Sequence, residues 1–220
     1  MQQINLNIWD IVTQNNIPCF DHFLLLRPNA IKTKSIIKNY IFTKLTDDPH
    51  IILKYDFSLI DSMDISFADE IIFLLKLDLQ LYDKYQFIIV LVSSGINFTN
   101  ELLPTITAAQ MNREKIETAK LLNKKNLYLP VLIYEHNSLS VLGEFEKKLQ
   151  DIYANSFTNK AMTTRELSES LNISLTNAGT QANNLLNLGL IFKKSENGPN
   201  GKFNTYFKID STHITQSEVK

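Results

Sequence analysis

An α/β fold with a small helical unit at its C-terminal end is predicted by three observations. From about residue 30 to 134, segments of helical period alternate with short β-branched runs in the order helix, strand, helix, strand, helix, strand. That alternation implies crossover connections and a layered α/β arrangement rather than a sandwich. The run YQFIIVLVS at 85–93 is almost continuously apolar, as expected of a strand in mid-sheet covered on both faces. Residues 164–188 then read as a short helix, a tight turn and a longer helix, the spacing of a helix-turn-helix.

A chain of 220 residues with 44% hydrophobic and 20% charged residues can bury one large core or two modest ones without staples. Cys19 is the only cysteine, so an oxidised secreted scaffold is excluded and a reducing compartment is expected. The opening MQQINLNIWDIV has no basic start or cleavage site of a signal peptide, and the greasiest segments are cut by Lys76, Asp78 and Ser93. They fall well short of the roughly 20 apolar residues that span a bilayer, which predicts a cytoplasmic protein without a membrane partner. Net charge is -1, against a large basic surface. Residues 162–209 nevertheless carry Arg165, Lys193, Lys194, Lys202 and Lys208 against Glu166, Glu169 and Glu196, and the chain before them is net acidic. Any nucleic-acid contact belongs at that end.

Taken in order, residues 4–12 alternate weakly and read as a strand or a short amphipathic turn. Ile36, Ile37, Tyr40, Ile41 and Leu45 place a helix over 30–45, stopped by Thr46, Asp47, Asp48 and Pro49. HIILKYDF at 50–57 is a strand. Ser66 or Asp64 caps a helix to about Leu81, with Asp69 and Glu70 in its first turn, where negative charge suits the helix dipole. After the strand at 85–93, a helical region over 99–124 is broken near 111–114, and a strand follows at 128–134. An amphipathic helix over 143–157 carries Phe145, Leu149, Ile152 and Tyr153, and the tail from 211 is polar. Trp9, Phe20, Phe23 and Phe42 read as packing of the N-terminal extension, with dimerisation as the other option.

In the C-terminal unit Thr164 caps a helix containing Leu167 and Leu171, Ile173 and Ser174 form the turn, and a second helix over 175–188 ends at Gly189, which accepts a left-handed backbone. Strands at 190–194 and 203–209 around ENGPNG at 196–201 form a hairpin wing, and the helix at 143–157 completes a trihelical core. Leu175, Ala178, Ala182, Leu185 and Leu188 are assigned to the core side of the second helix. That assignment leaves Thr176, Asn177, Thr180, Gln181, Asn184 and Asn187 outward, a face suited to adenine edges and thymine methyls. The helix has no Lys or Arg, so Arg165, Lys193, Lys194 and Lys202 would hold the phosphate backbone. Modest, salt-sensitive affinity follows, and with it a homodimer or a partner that raises it.

Asp56, Phe57, Ser66, Phe67, Ala68, Asp69 and Glu70, in DFSLIDSMDISFADEII, resemble the strand, loop and helix start of STAS-like domains, the family related to anti-anti-sigma factors. Thr163 to Ser168, Leu171 to Ser174, Asn177, Ala178 and the turn at 185–190 are similar to the winged helix domains of MarR-like and ArsR-like regulators. Together the resemblances imply an α/β fold with a STAS-like α/β N-terminal domain (1–140), a C-terminal winged helix-turn-helix domain (141–210) and a polar tail (211–220), as in a two-domain bacterial regulator. The first resemblance implies a phosphoacceptor at Ser66 and a histidine-kinase-like ATPase partner. A plain N-cap is the competing role of Ser66, since Phe67 stands where the family has glycine and Asp64, Asp69 and Glu70 would repel phosphate.

The expected function is therefore that of a transcriptional regulator reading duplex DNA through helix 175–188 and wing 190–209. A protein-interaction component without DNA binding is the alternative, and a small-molecule sensor with a cavity between helix 99–124 and the sheet is a third. His22, His50, His136 and His213 are dispersed, and Cys19 with His22 lacks further ligands, so no metal is expected. SSGIN at 93–97 has neither the spacing nor the lysine of a phosphate loop, and no nucleophile elbow occurs. No cofactor and no enzymatic activity are expected.

Overall fold

The computed structural model describes residues 1–92, 97–120, 128–157, 161–199 and 201–215. The chain divides into two compact units, Met1–Gly143 and Glu144–Lys220. The expected turn at 93–96, the end of the helix expected to reach 124, hairpin residue 200 and the last residues of the tail lie wholly or partly outside the described residues, and the strand expected from 128 begins at Val131.

The first unit is built on β1 (Gln2–Asn7), α1 (Ile8–Gln14), β2 (Phe23–Leu24), α2 (Arg27–Lys44), β3 (His50–Asp56), β4 (Ser62–Met63), α3 (Ile65–Ala68), a π-helical stretch Asp69–Leu74, α4 (Leu75–Leu79), β5 (Gln86–Val92), a second π stretch Phe98–Leu102, α5 (Leu103–Lys120), β6 (Val131–Glu135) and β7 (Ser138–Leu142). Its main sheet has the order β1-β3-β5-β6-β7, with the first four strands parallel and β7 antiparallel to β6. Side chains alternate across a strand, and the register puts Leu6, Tyr55, Leu91 and Ile133 in one row and Ile4, Leu53 and Ile89 in the next. These residues share a buried cluster with Ile37 and Ile41 of α2, Phe67 and Ala68 of α3, and Ile106 and Ala109 of α5. The helices thus line one face, as successive right-handed crossovers between neighbouring strands require. Ile52, Ile88, Val90 and Leu132 alternate onto the other face, so β5 is apolar on both sides.

The α/β class is as the sequence predicts, with several local corrections. Residues 4–12 divide into the end of β1 and the start of α1, because the Asn7 side chain accepts from Asp10 N and starts a helix. α5 runs unbroken through 111–114. β7 was not expected; its turn residues His136 and Asn137 both have positive φ, 49° and 60°, the geometry of a two-residue hairpin turn. The N-cap of the 65–79 helix is Asp64, whose Oδ1 accepts from Phe67 N at 2.7 Å and from Ser66 Oγ at 2.6 Å while Oδ2 accepts from Leu26 N at 2.6 Å. Burial opposes ionisation of Asp64, but these hydrogen bonds outweigh it and hold the carboxyl below the usual range. Ser66 is therefore not the cap: it sits inside the first turn with its hydroxyl given to Asp64. Phe20 and Phe23 are 77% and 38% exposed, so they are not core, whereas Trp9 stacks on His22 and Phe42 packs against Tyr82.

Asp69 and Glu70 are buried rather than facing solvent at a helix start. A chain of ion pairs joins them to neighbouring helices: Arg113 and Arg27 to Asp69, Arg27 and Lys34 to Glu70, and Lys34 and Lys38 to Asp78. At the far edge, Gln110 Nε2 donates to Leu129 O at 3.0 Å and to Glu114 Oε1 at 3.3 Å, and Glu114 Oε1 accepts from Leu129 N at 2.7 Å. α5 thereby clamps the entry to β6. Gly143 (φ +99°) lies against this clamp, and a Cβ there would sit 1.8 Å from Gln110 Nε2. Gly143→Ala is expected to displace Gln110 and lower the unfolding free energy by about 2 kcal/mol; an unchanged urea midpoint would contradict the clamp.

The second unit comprises α6 (Lys147–Ser156), β8 (Met162–Thr163), α7 (Thr164–Leu171), α8 (Leu175–Asn187), β9 (Phe192–Gly198), β10 (Gly201–Phe207) and α9 (Thr212–Thr215). β8, β10 and β9 form an antiparallel sheet in that order. Leu149, Ile152, Leu167, Ala178, Ala182, Leu185, Phe192 and Tyr206 are buried. Thr163, not Thr164, caps α7: its Oγ1 accepts from Glu166 N and its N–H donates to Glu166 Oε2 at 2.7 Å, a full capping box. Asn172 closes α7 in the left-handed region, and Ser174 caps α8. Gly189 follows α8 at φ 67°. The polar tail begins with the ordered turn of α9, where Asp210 Oδ1 accepts from Thr212 N at 2.9 Å.

Candidate nucleic-acid interface

α8 contains no charged residue, so its faces are separated by apolarity and angle alone. At about 100° per residue, with Ala178 as origin, Ala182, Leu185 and Leu188 fall at about 40°, 340° and 280°. Gln181 falls at about 300°, between Leu185 and Leu188. It is accordingly buried, at 9% exposure, which removes it from the expected base-reading set. Its Nε2 donates to Asn177 Oδ1 at 3.0 Å, and its Oε1 has no hydrogen-bond partner. An unsatisfied buried acceptor of this kind costs about 1–3 kcal/mol.

Thr176, Thr180, Asn183 and Asn187 are exposed and span about 140° to 200°, with half-buried Asn184 and Asn177 on one flank. Asn183 was missed in the sequence, where it was passed over beside Asn184; the helical angle alone would have found it. Tyr206 Oη of β10 donates to Asn183 Oδ1 at 3.3 Å. Leu175, expected in the core, is 53% exposed because it occupies the first position after the Ser174 cap.

The cations do not form one group. Successive strand residues point to opposite faces, and the register pairs Lys193 with Tyr206 and Lys202 with Asn197, but Lys194 with Thr205. Lys193 and Lys202 thus share one face of the hairpin, and Lys194 lies on the other. Lys194 Nζ sits 2.8 Å from Glu196 Oε1, and that hydrogen bond raises the lysine pKa and lowers the glutamate's. Both side chains are well exposed, so the pair adds little stability but leaves Lys194 less able to grip an outside anion. Lys208 points inward, with Nζ 5.1 Å from the Tyr153 ring centroid and donating to Tyr153 O at 3.4 Å. Burial lowers its pKa and pushes the Tyr153 phenol up to about 12. Arg165 is exposed on α7.

Protein-family models, curated proteins and solved structures offer no match to this chain. The geometry therefore carries the functional reading. Among the described residues no group of three His, Cys, Asp or Glu side chains is arranged to hold a metal ion, and no helix is long and apolar enough to cross a membrane.

Proposed function

We propose that the protein is a DNA-binding transcriptional regulator of the bacterial, cytoplasmic kind, with Glu144–Lys220 as a winged helix-turn-helix and Met1–Gly143 as a STAS-like sensory or interaction domain. The observation that carries this reading is the exposed, acid-free polar stripe of α8 beside a hairpin with Lys193 and Lys202 on one face. α8 enters the major groove, its first turns meet base edges, and the hairpin lysines with Arg165 hold phosphates. One such unit has few cations, so a homodimer supplies the second half of the affinity. Catalysis and cofactors have no part in this reading.

Fluorescence anisotropy with labelled duplexes across a salt series tests it. Lys193→Ala with Lys202→Ala is expected to weaken binding to every duplex and to reduce the slope of log K against log salt by about 2, while Lys194→Ala, tied to Glu196, changes it little. Absence of duplex binding even at low salt would sink the reading.

A second reading, a partner-switching component governed by a histidine-kinase-like ATPase, has one specific observation in its favour. Phe20, Leu25, Leu26, Leu59 and Ile65, in the segments around β2 and β4, are between 43% and 77% exposed, an unusual amount of apolar surface for two short segments. Ser66 is the phosphoacceptor in that reading, and phosphorylation would break its hydrogen bond to Asp64. Incorporation of labelled phosphate that Ser66→Ala abolishes, with no DNA binding, would favour it.

A further inference from the structure

Two asparagines on α8 have their carbonyl ends occupied from within the protein. Gln181 Nε2 donates to Asn177 Oδ1, and Tyr206 Oη donates to Asn183 Oδ1. Both donors belong to buried side chains, Gln181 at 9% and Tyr206 at 2% exposure. Gln181 holds this position even though its own Oε1 is left without a partner. A methionine of similar shape would leave no such orphan, so packing does not explain a glutamine here.

An amide whose oxygen is held on the protein side turns its NH2 the other way. Asn177 and Asn183 lie six residues apart, about 9 Å along the helix, with Asn183 on the outward arc and half-buried Asn177 at its flank, on either side of Thr180. Resting on the DNA-binding reading above, we propose that Asn177 and Asn183 read bases as hydrogen-bond donors, with Gln181 and Tyr206 as the positioning residues that set this polarity. The bidentate adenine contact open to a freely rotating asparagine needs both a donor and an acceptor end. Donors alone select acceptor-rich edges, guanine N7 and O6 foremost and thymine O4 next, so at each of two steps of the groove the asparagine fixes which strand carries the guanine or thymine.

The test is selection from a random duplex library at low salt with the full chain, its Asn177→Ala and Asn183→Ala variants to locate the two positions, and Gln181→Glu, Gln181→Met and Tyr206→Phe. The wild type is expected to enrich one orientation of the base pair at each position, with the guanine or thymine on a fixed strand of the motif. A carboxylate at 181 can only accept, so Gln181→Glu turns the Asn177 amide round and reverses the base pair at that position alone, putting cytosine or adenine on the strand that carries guanine or thymine in the wild-type motif, by about tenfold in preference. Gln181→Met, which keeps the packing, relaxes the same position, and Tyr206→Phe relaxes the Asn183 position alone. A purely structural role for Gln181 and Tyr206 would instead lower the melting temperature and weaken all positions together. The absence of a base-pair orientation preference at the mapped positions in the wild type, or preferences indifferent to all three positioning variants, overturns the inference while DNA binding stands. A wild-type chain that enriches no motif overturns the DNA-binding reading and this inference with it.

Discussion

Arg113→Met lowers the unfolding free energy by about 3–5 kcal/mol, the cost of removing one partner from a buried ion pair. Arg113 Nε donates to Asp69 Oδ1 at 2.8 Å and a second nitrogen donates to Oδ2, with side chains only 8% and 7% exposed. Without it Asp69 keeps Arg27 at 3.1 Å, but Arg27 is 46% exposed and already serves Glu70 at 2.7 Å. One half-solvated guanidinium cannot replace a buried bidentate one. Lys38→Ala, at the outer end of the same chain of charges and 3.8 Å from Asp78, is expected to cost under about 1 kcal/mol. The double variant Arg113→Met with Asp69→Leu should recover much of the loss, because replacing both members of a buried pair by apolar groups is often neutral. Urea titrations of the four proteins check this. A loss below about 1 kcal/mol for Arg113→Met would mean that water screens the pair.

This network was the least legible feature of the sequence, for a physical reason. Its partners are helical residues 36 to 44 positions apart, and only the packing of α2 and α5 against the 65–79 helix brings them together. Asp69 and Glu70 could be read locally as acids favouring a helix start, and tertiary pairing overrode that. Features set by local pattern were legible. The β-branched run of β5 fell where expected, as did the turn at Asn172 to Ser174, with a left-handed residue at its start and a hydroxyl cap at its end, whereas the 3.6-residue period expected after Asp64 gives way to a π-helical stretch over Asp69–Leu74 that is buried nearly all round. β7 was not legible, because SLSVL has three apolar positions and lies mostly open on an edge. In the candidate site, Thr176, Thr180 and Arg165 stand exposed where the sequence placed them. Gln181 was misassigned because polarity was used where angle decides: at about 300° it lies inside the apolar arc whatever its chemistry. Lys193 and Lys194 were grouped by adjacency, although adjacency in a strand means opposite faces.

Lys76 gives the second large effect, and its sign follows from burial. The side chain is 5% exposed on α4, and its Nζ donates to Pro130 O at the entry to β6. Desolvation lowers its pKa from 10.5 to about 7, with Glu114 pulling weakly the other way. Between those two values the unfolded chain holds a proton that the folded chain does not, so stability rises with pH across about 7 to 10.5. Below about 7 both states are protonated, the slope vanishes and the cost of the buried charge is fully present. The span corresponds to on the order of 5 kcal/mol. Lys76→Met removes the titration and also the donor to Pro130 O, which costs about 1 kcal/mol. The variant is therefore expected to be more stable than the wild type at pH 6 and less stable at pH 10, so the two curves of urea midpoint against pH must cross. Parallel curves would show that Lys76 keeps its proton in the folded state, with Glu114 and the Pro130 carbonyl solvating the charge as well as water does.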